Sequence, residues 1–247
     1  MPRAAKSAPP APRAKKAAAA GSRGSRAGGR AAASQRPETL TEQAYRAIEE
    51  LIVTLRLKPG DVLSEQILSA RLGIGRTPIR EALQRLALEG LVTILPRKGI
   101  LVSELNPRTQ LLVLEVRREL ERLLSRSGAE RATEEQREQF RSIAAGMDEA
   151  ARTNDDITFM RLDRELNALM IEAAHNDYAA RAMRLLQGLS RRFWYMHYRQ
   201  AADLPLCARL HASQARAIAE GDGKGAAQAT DALTDYVESF TRATVSV

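Results

Sequence analysis

PGDVLSEQILSARLGIGRTPIREALQRLALEGLVTILPRKGILV, residues 59–102, is the stretch on which the reading of this 247-residue chain turns. Leu63-Ser64-Glu65 opens a helix, with Ser64 as its N-cap and Ile67, Leu68 and Leu72 as its apolar run. Gly73 ends that helix, where a positive φ costs glycine least. Thr77 caps a second helix and Pro78 takes its first position, where a missing N–H costs nothing. Ile79, Ala82, Leu83, Leu86 and Ala87 recur at helical spacing and give this helix a buried face. Gly90 stops it. Val92–Leu95 and Ile100–Val102 then read as strands around the turn Pro96-Arg97-Lys98-Gly99. Two short helices, a tight turn and a two-stranded wing make a winged helix-turn-helix, a shape that delivers the start of its second helix to a DNA major groove.

The side of the second helix away from its apolar face carries Arg76, Arg80 and Gln84, with Thr77 at the tip and Gln66 on the helix before. An arginine fork suits guanine because it donates two bonds to O6 and N7. Arg97, Lys98 and Gly99 in the wing suit a phosphate backbone or a minor groove. Any single exposed arginine is more often merely solvated. It is the ordered set of turn, cap, helix and basic wing that marks these eight residues as the expected DNA contacts.

Working outward, a helix over about 41–55 precedes the motif. Its stripe is Ala44, Ile48, Leu51, Ile52 and Leu55, and Leu57-Lys58-Pro59-Gly60 turns the chain after it. Thr41 and Gln43 near its start are within reach of phosphate. Residues 1–36 hold nine of the 38 basic residues and none of the 30 acidic ones, so the remainder carries 29 against 30. The net charge of +8 therefore belongs to this segment alone. Its Ala, Gly, Pro and Ser content cannot bury enough apolar area to fold, so a disordered tail is expected, either an electrostatic arm along DNA or a solubilising extension.

From Asn106-Pro107 onward the pattern is helical throughout. Six helices are expected, over 107–128, 133–152, 155–175, 177–200, 204–220 and 223–243. The fold class is mainly α: a tail over 1–36, a winged helix over 37–105, and an all-α bundle over 106–247 that binds an effector and dimerises. One cysteine, Cys207, excludes a disulfide framework and reads as a small buried apolar residue. No run of about 18 apolar residues or signal peptide appears, so no membrane span is expected and a cytoplasmic location beside the nucleoid is.

LSEQILSARLGIGRTPIREALQRLALEGLV and PRKGILV resemble the DNA-binding domain of GntR-type bacterial regulators, a likeness covering residues 39–104 and sharpest at RTPIREAL. LEVRRELE (114–121), LDRELNALMIEAAHN (162–176) and LHASQARAIAEGD (210–222) resemble the FCD ligand-binding domain of the FadR-type subfamily. Six helices place it nearer the VanR-like branch. The resemblance implies a homodimer, an operator in double-stranded DNA, and a small acidic metabolite enclosed in the bundle. Many such proteins hold a metal through one Asp and three His, beginning D-x-x-x-H. Here Asp163 fills the first position and His211 the third, but Asn167 stands in the second and the fourth falls at or near Leu233. A neutral amide is a poor transition-metal ligand and leucine is none, so the set reads as degraded and no metal cofactor is expected. Asp235 is the nearest residue that could restore a third ligand. Asp163, Asn167 and His211 would instead meet the ligand directly, together with Arg117, which is also placed to pair with Glu121 one turn on.

Arg191-Arg192-Phe193-Trp194-Tyr195-Met196-His197-Tyr198-Arg199 is the one aromatic concentration, read as a core and dimer-face helix; His175 and His197 read as structural or exposed. Asp163, His211 and Glu121 could be cast as acid and base of an enzyme, but nucleophile motif, phosphate loop and intact metal set are all lacking. A nonspecific architectural DNA coat fits the basic tail yet needs no enclosed pocket. The sequence therefore points to a DNA-binding transcription regulator, a repressor more than an activator, whose operator binding answers to an organic acid.

Overall fold

The computed structural model describes residues 38–244, so the reading of residues 1–36 as a disordered arm lies outside them. The first helix, α1 (Leu40–Val53), begins where the Thr39 hydroxyl accepts from the Glu42 N–H at 3.2 Å. It buries Ala44, Ile48, Leu51 and Ile52 of the predicted stripe, together with Tyr45 and Val53. Leu55 leaves that stripe, because the helix has already ended and the residue sits at φ 60°.

Two strand residues follow that the spacing did not reveal. β1 (Val62–Leu63) pairs antiparallel with β3 (Gly99–Val102), which in turn pairs with β2 (Val92–Leu95), giving the order β1-β3-β2. A two-residue strand carries no alternation to read. Gly99 belongs to β3, opposite Leu95, instead of to the turn. Its φ is 106° and an added Cβ would lie 3.3 Å from the Val62 side chain, so both backbone and space require glycine there. Arg97 in the turn also adopts a left-handed conformation, φ 64°.

Between β1 and β2 lie α2 (Glu65–Leu72) and α3 (Arg76–Leu88). Gly73 ends α2 at φ 67° and Gly90 follows α3 at φ 74°, as predicted. Ser64 is the N-cap of α2 as expected, though its side chain makes no capping bond. Two expectations are corrected. Ile67 is 65% exposed, leaving Leu68 as the buried residue of that short helix. The cap of α3 is Gly75, not Thr77, so Pro78 occupies the third helical position. The first four N–H groups of a helix lack intrahelical partners, so proline is accommodated there too.

The bundle has the six expected helices: α4 (Pro107–Arg131), α5 (Glu134–Thr153), α6 (Asp156–Ala173), α7 (Asp177–Ala201), α8 (Leu204–Glu220) and α9 (Gly223–Ala243). Their starts are capped by Asn106, Thr133, Asp155, Asn176, Asp203 and Asp222, each accepting backbone N–H bonds. Gly221 closes α8 at φ 77°. The glycine–aspartate pair there is thus a helix end and a helix start.

Winged helix and bundle have separate cores, one around Ile48, Ile79, Leu83 and Leu86, the other around Leu124, Phe140, Met147, Leu166 and Ile218. They meet on α7. Leu189 packs against the winged-helix core, and Leu91 lies so close to Gly188 that a Cβ there would be 2.7 Å from its Cδ1. Arg192, fully buried beside them, donates to the Ser103 carbonyl in the segment joining the two cores. Its Nε and Nη1 find no partner among the described residues, and burial lowers its pKa to about 10 against the opposing pull of Glu104.

Candidate DNA surface and ligand cavity

All eight expected DNA contacts, Gln66, Arg76, Thr77, Arg80, Gln84, Arg97, Lys98 and Gly99, are exposed. Starting α3 at Arg76 puts Arg76 and Arg80 one turn apart at its N-terminal end, which is the part of such a helix that reaches base edges. Glu65 of α2 holds this pair: Arg80 Nε and Nη2 donate to its two oxygens at 2.8 Å each, and Arg76 stands 3.7 Å away. The Arg80 bonds keep the Glu65 carboxyl below its ordinary range. Thr41 is not free for phosphate, since its hydroxyl donates to Glu81 at 2.7 Å. Behind the surface, Arg85 bonds Glu42 at 2.9 Å and Glu89 at 3.2 Å and lies over the Tyr45 ring, while the Tyr45 hydroxyl donates to Glu89. This brace fixes α1 to α3 and had no signature in the sequence.

The bundle encloses a cavity of about 200 Å³. Asp163, Asn167, His211 and Leu233, from three helices, all line it. His211 Nε2 lies 3.2 Å from Asp163 Oδ1, and His211 Nδ1 lies 2.8 Å from the Cys207 carbonyl, so both ring nitrogens face acceptors. The Asn167 amide turns its NH₂ to Asp163, at 2.9 Å from Oδ1. The ring of Phe159 stands edge-on to His211 at 5.3 Å. Arg117 is gripped by Glu121, with one bond of 3.0 Å, and both line the cavity while largely screened from water. The pair is therefore neither a surface contact nor a free arginine. Cys207 is buried and also lines the cavity, as do Trp194 and Tyr195 of the aromatic helix, which thus contributes to ligand space as well as to core. His197 lies against Phe193, and His175 ends its turn at φ 46°.

Among the cavity residues that sequence reasoning missed, three carry polar groups with partners across the bundle or beyond it. Gln214, 2% exposed, donates to Ser125 and Thr230 at 3.0 and 2.8 Å. Arg164 and Arg191 line the rim and reach out to Glu50 and Glu49 of α1. None has a motif, because each role depends on which helix lies opposite.

The donor set does not fit a transition metal. No group of three His, Cys, Asp or Glu side chains is arranged for one among the described residues. Asn167 presents its donor side, and Leu233 has no donor. Asp235, the remaining hope for a third ligand, is tied to Arg118 at 2.6 Å. Asp163 and His211 instead form an ion pair. Burial works against charge on both, but the bonds and charges they exchange, with Cys207 also favouring the imidazolium, raise His211 well above 6.5 and lower Asp163 below 3.8. The histidine contributes stability that is complete below 6.5 and lost as pH rises through its elevated pKa. The aspartate contributes above 3.8 and loses it as pH falls through its depressed one. The difference in melting midpoint between wild type and His211→Gln should therefore be widest from about pH 4 to 6.5 and narrow in alkali. A difference that grows toward alkaline pH would mean that His211 is neutral.

A winged helix with a basic reading end, coupled to a bundle enclosing a space for a small ligand, defines a ligand-responsive transcription regulator. Residues 40–102 match the family described as bacterial regulatory proteins, gntR family, and residues 112–235 match the FCD domain. The chain belongs to the GntR regulators that carry an FCD domain, as the sequence resemblance implied. Among curated relatives, a transcription regulator from an unstable DNA locus of Streptomyces ambofaciens is 41% identical over 75 residues, 30% of this chain and 32% of that protein. The chain thus aligns with about a third of that relative's length. The transcriptional repressor RspR of Escherichia coli K12 is 27% identical over 203 residues, 82% of this chain and 89% of that one. A solved structure of E. coli McbR/YncC shares the fold, with a TM-score of 0.71 at 18% identity over 84% of this chain and 99% of that chain. Family and relatives are those of a transcription regulator, not an enzyme. No helix among the described residues is long and apolar enough to cross a membrane.

Proposed function

We propose that this protein is a homodimeric repressor whose grip on a two-fold operator is set by a small organic acid bound in the bundle without a metal. The observation that carries this is the cavity itself: about 200 Å³, walled by Phe159, Trp194 and Leu233 and rimmed by Arg164 and Arg191. Apolar walls with a few convergent cations suit a small carboxylate. An architectural coat has no use for such a space. Repression is favoured by the likeness to RspR of E. coli, a transcriptional repressor. For the dimer, α4 leaves Leu112 and Val116 exposed one turn apart, and α7, packed beside it, leaves Leu185 exposed. Gln66, Arg76, Thr77, Arg80 and Gln84 read bases, and Arg97, Lys98 and Gly99 follow the backbone. The division at residue 105 is proposed as one of function, the described residues on either side of it, 38–105 and 106–244, lying in one compact unit.

Thermal melts test this directly. An organic acid at 100 times its Kd should add about 2.7 kcal/mol to the native state, while Zn²⁺, Ni²⁺ and Mn²⁺ add nothing, and the midpoint should climb with protein concentration as a dimer requires. A metal-dependent rise sinks the metal-free reading. A concentration-independent midpoint sinks the dimer.

A further inference from the structure

The cations of the cavity fall into two kinds. Arg117 and His211 spend their charge inside the bundle, on Glu121 and Asp163. Arg164 and Arg191 spend theirs on the winged helix. Arg191 Nη1 lies 3.0 Å from Glu49 Oε1 and its Nη2 3.7 Å from Glu50 Oε2, and Arg164 lies 3.5 Å from the same Glu50 oxygen. Arg191 and Glu49 are 22% and 16% exposed, so each charge is only partly solvated and relies on the other. Ser190, the next residue of α7, lines the cavity and accepts from Gln110 of α4. Leu189, Gly188 and Arg192, also on α7, make further contacts with the winged helix and the joining segment.

We infer that Arg191 is the residue that reports ligand to DNA: an anionic group bound beside it competes with Glu49 for its guanidinium and so loosens α1 from α7. This rests on the carboxylate reading of the cavity. Arg191 holds Glu49 through Nη1 alone, and an anion that draws that nitrogen into a bidentate contact of its own leaves Glu49 half-buried without its partner. Burial already pushes the Glu49 carboxyl up and Arg191 pulls it back. Because α1 is fastened to α3 through Arg85, what loosens α1 shifts the reading helix with it. A neutral ligand of the same shape has no quarrel with Glu49 and leaves the junction closed. Reciprocity then requires that Glu49 weaken the binding of every anion the cavity takes.

The test uses the full-length protein, with acetate, succinate and benzoate as probes, each beside its neutral amide. Binding is read by the fluorescence of Trp194, the single tryptophan, which lines the cavity. Loosening is read by hydrogen exchange of the α1 amides. Glu49→Gln, which leaves the cavity lining untouched, should tighten anion binding by about tenfold and raise α1 exchange without any ligand. In wild type the anion should raise α1 exchange while the amide does not. Arg191→Gln should weaken anion binding and abolish the response, and Arg191→Lys, which keeps the charge, should restore part of it. Anion binding that leaves α1 exchange and the Glu49→Gln affinity unchanged overturns the inference and spares the carboxylate reading. No anion bound by wild type or Glu49→Gln overturns that reading, and the competition with it.

Discussion

Replacing Arg80 by alanine is expected to weaken operator binding by about 10- to 100-fold and to relax base preference at one position in each half-site, as the loss of a bidentate guanine contact does. Binding to random duplex should change far less. The structure adds a second arm. In the free protein the Arg80 fork is engaged by Glu65 at 2.8 Å on both oxygens, so this carboxylate must be displaced before Arg80 reads a base. Glu65→Gln keeps the size of the side chain but drops its charge, and should raise affinity for both random and operator DNA, more for the operator because Arg80 no longer has to leave a carboxylate to read its base. Quantitative mobility shifts at fixed salt would decide this, since electrostatic affinity without a salt concentration means little. Equal losses on both DNAs for Arg80→Ala would make that arginine a phosphate contact.

The largest effect on stability is expected at Glu121. Removing one partner of a screened ion pair leaves the other uncompensated, so Glu121→Ala should cost about 3–5 kcal/mol. For a domain of this size that lowers the melting midpoint by on the order of 10 °C. Replacing both partners, as Arg117→Met with Glu121→Leu, should recover most of the loss, because no charge is then stranded. Were the single variant to melt with wild type, Arg117 must find another anion or water, and its place in the cavity would need redrawing.

What was legible in the sequence was periodic or punctuated. The six bundle helices and the wing carry long apolar rhythms broken by Gly, Pro, Asn and Asp, and each appears within a few residues of its expected span. Asp163, Asn167, His211 and Leu233 were legible through family likeness, and they do line one space. Three things were not legible. β1 is too short to show a pattern. The start of α3 depends on Gly75, which caps through its backbone and has no side chain to announce it. The cavity arginines Arg164 and Arg191 look in sequence like any solvated pair, because their meaning lies in Glu49 and Glu50 more than a hundred positions away. Arg117 and Glu121 were read correctly as neighbours, but not as a pair folded inside the bundle, since i,i+4 spacing says nothing of what covers it.

The packing of Leu189 against the winged-helix core, and of Leu91 against the bare backbone of Gly188, both on the α7 side of the joint, bear on how such a molecule can be rebuilt. Chimeric sensors are made by cutting at the segment between reading head and sensing body and exchanging one half. Here a cut near Ser103 severs the chain but not the joint, for the socket that receives Leu91 is carried on a helix most of a domain further along. A graft that brings this reading head to another body must also rewrite residues 188–192 of the recipient. A graft that ignores them yields a head that still binds DNA and a body that still binds its ligand, with no conversation between the two.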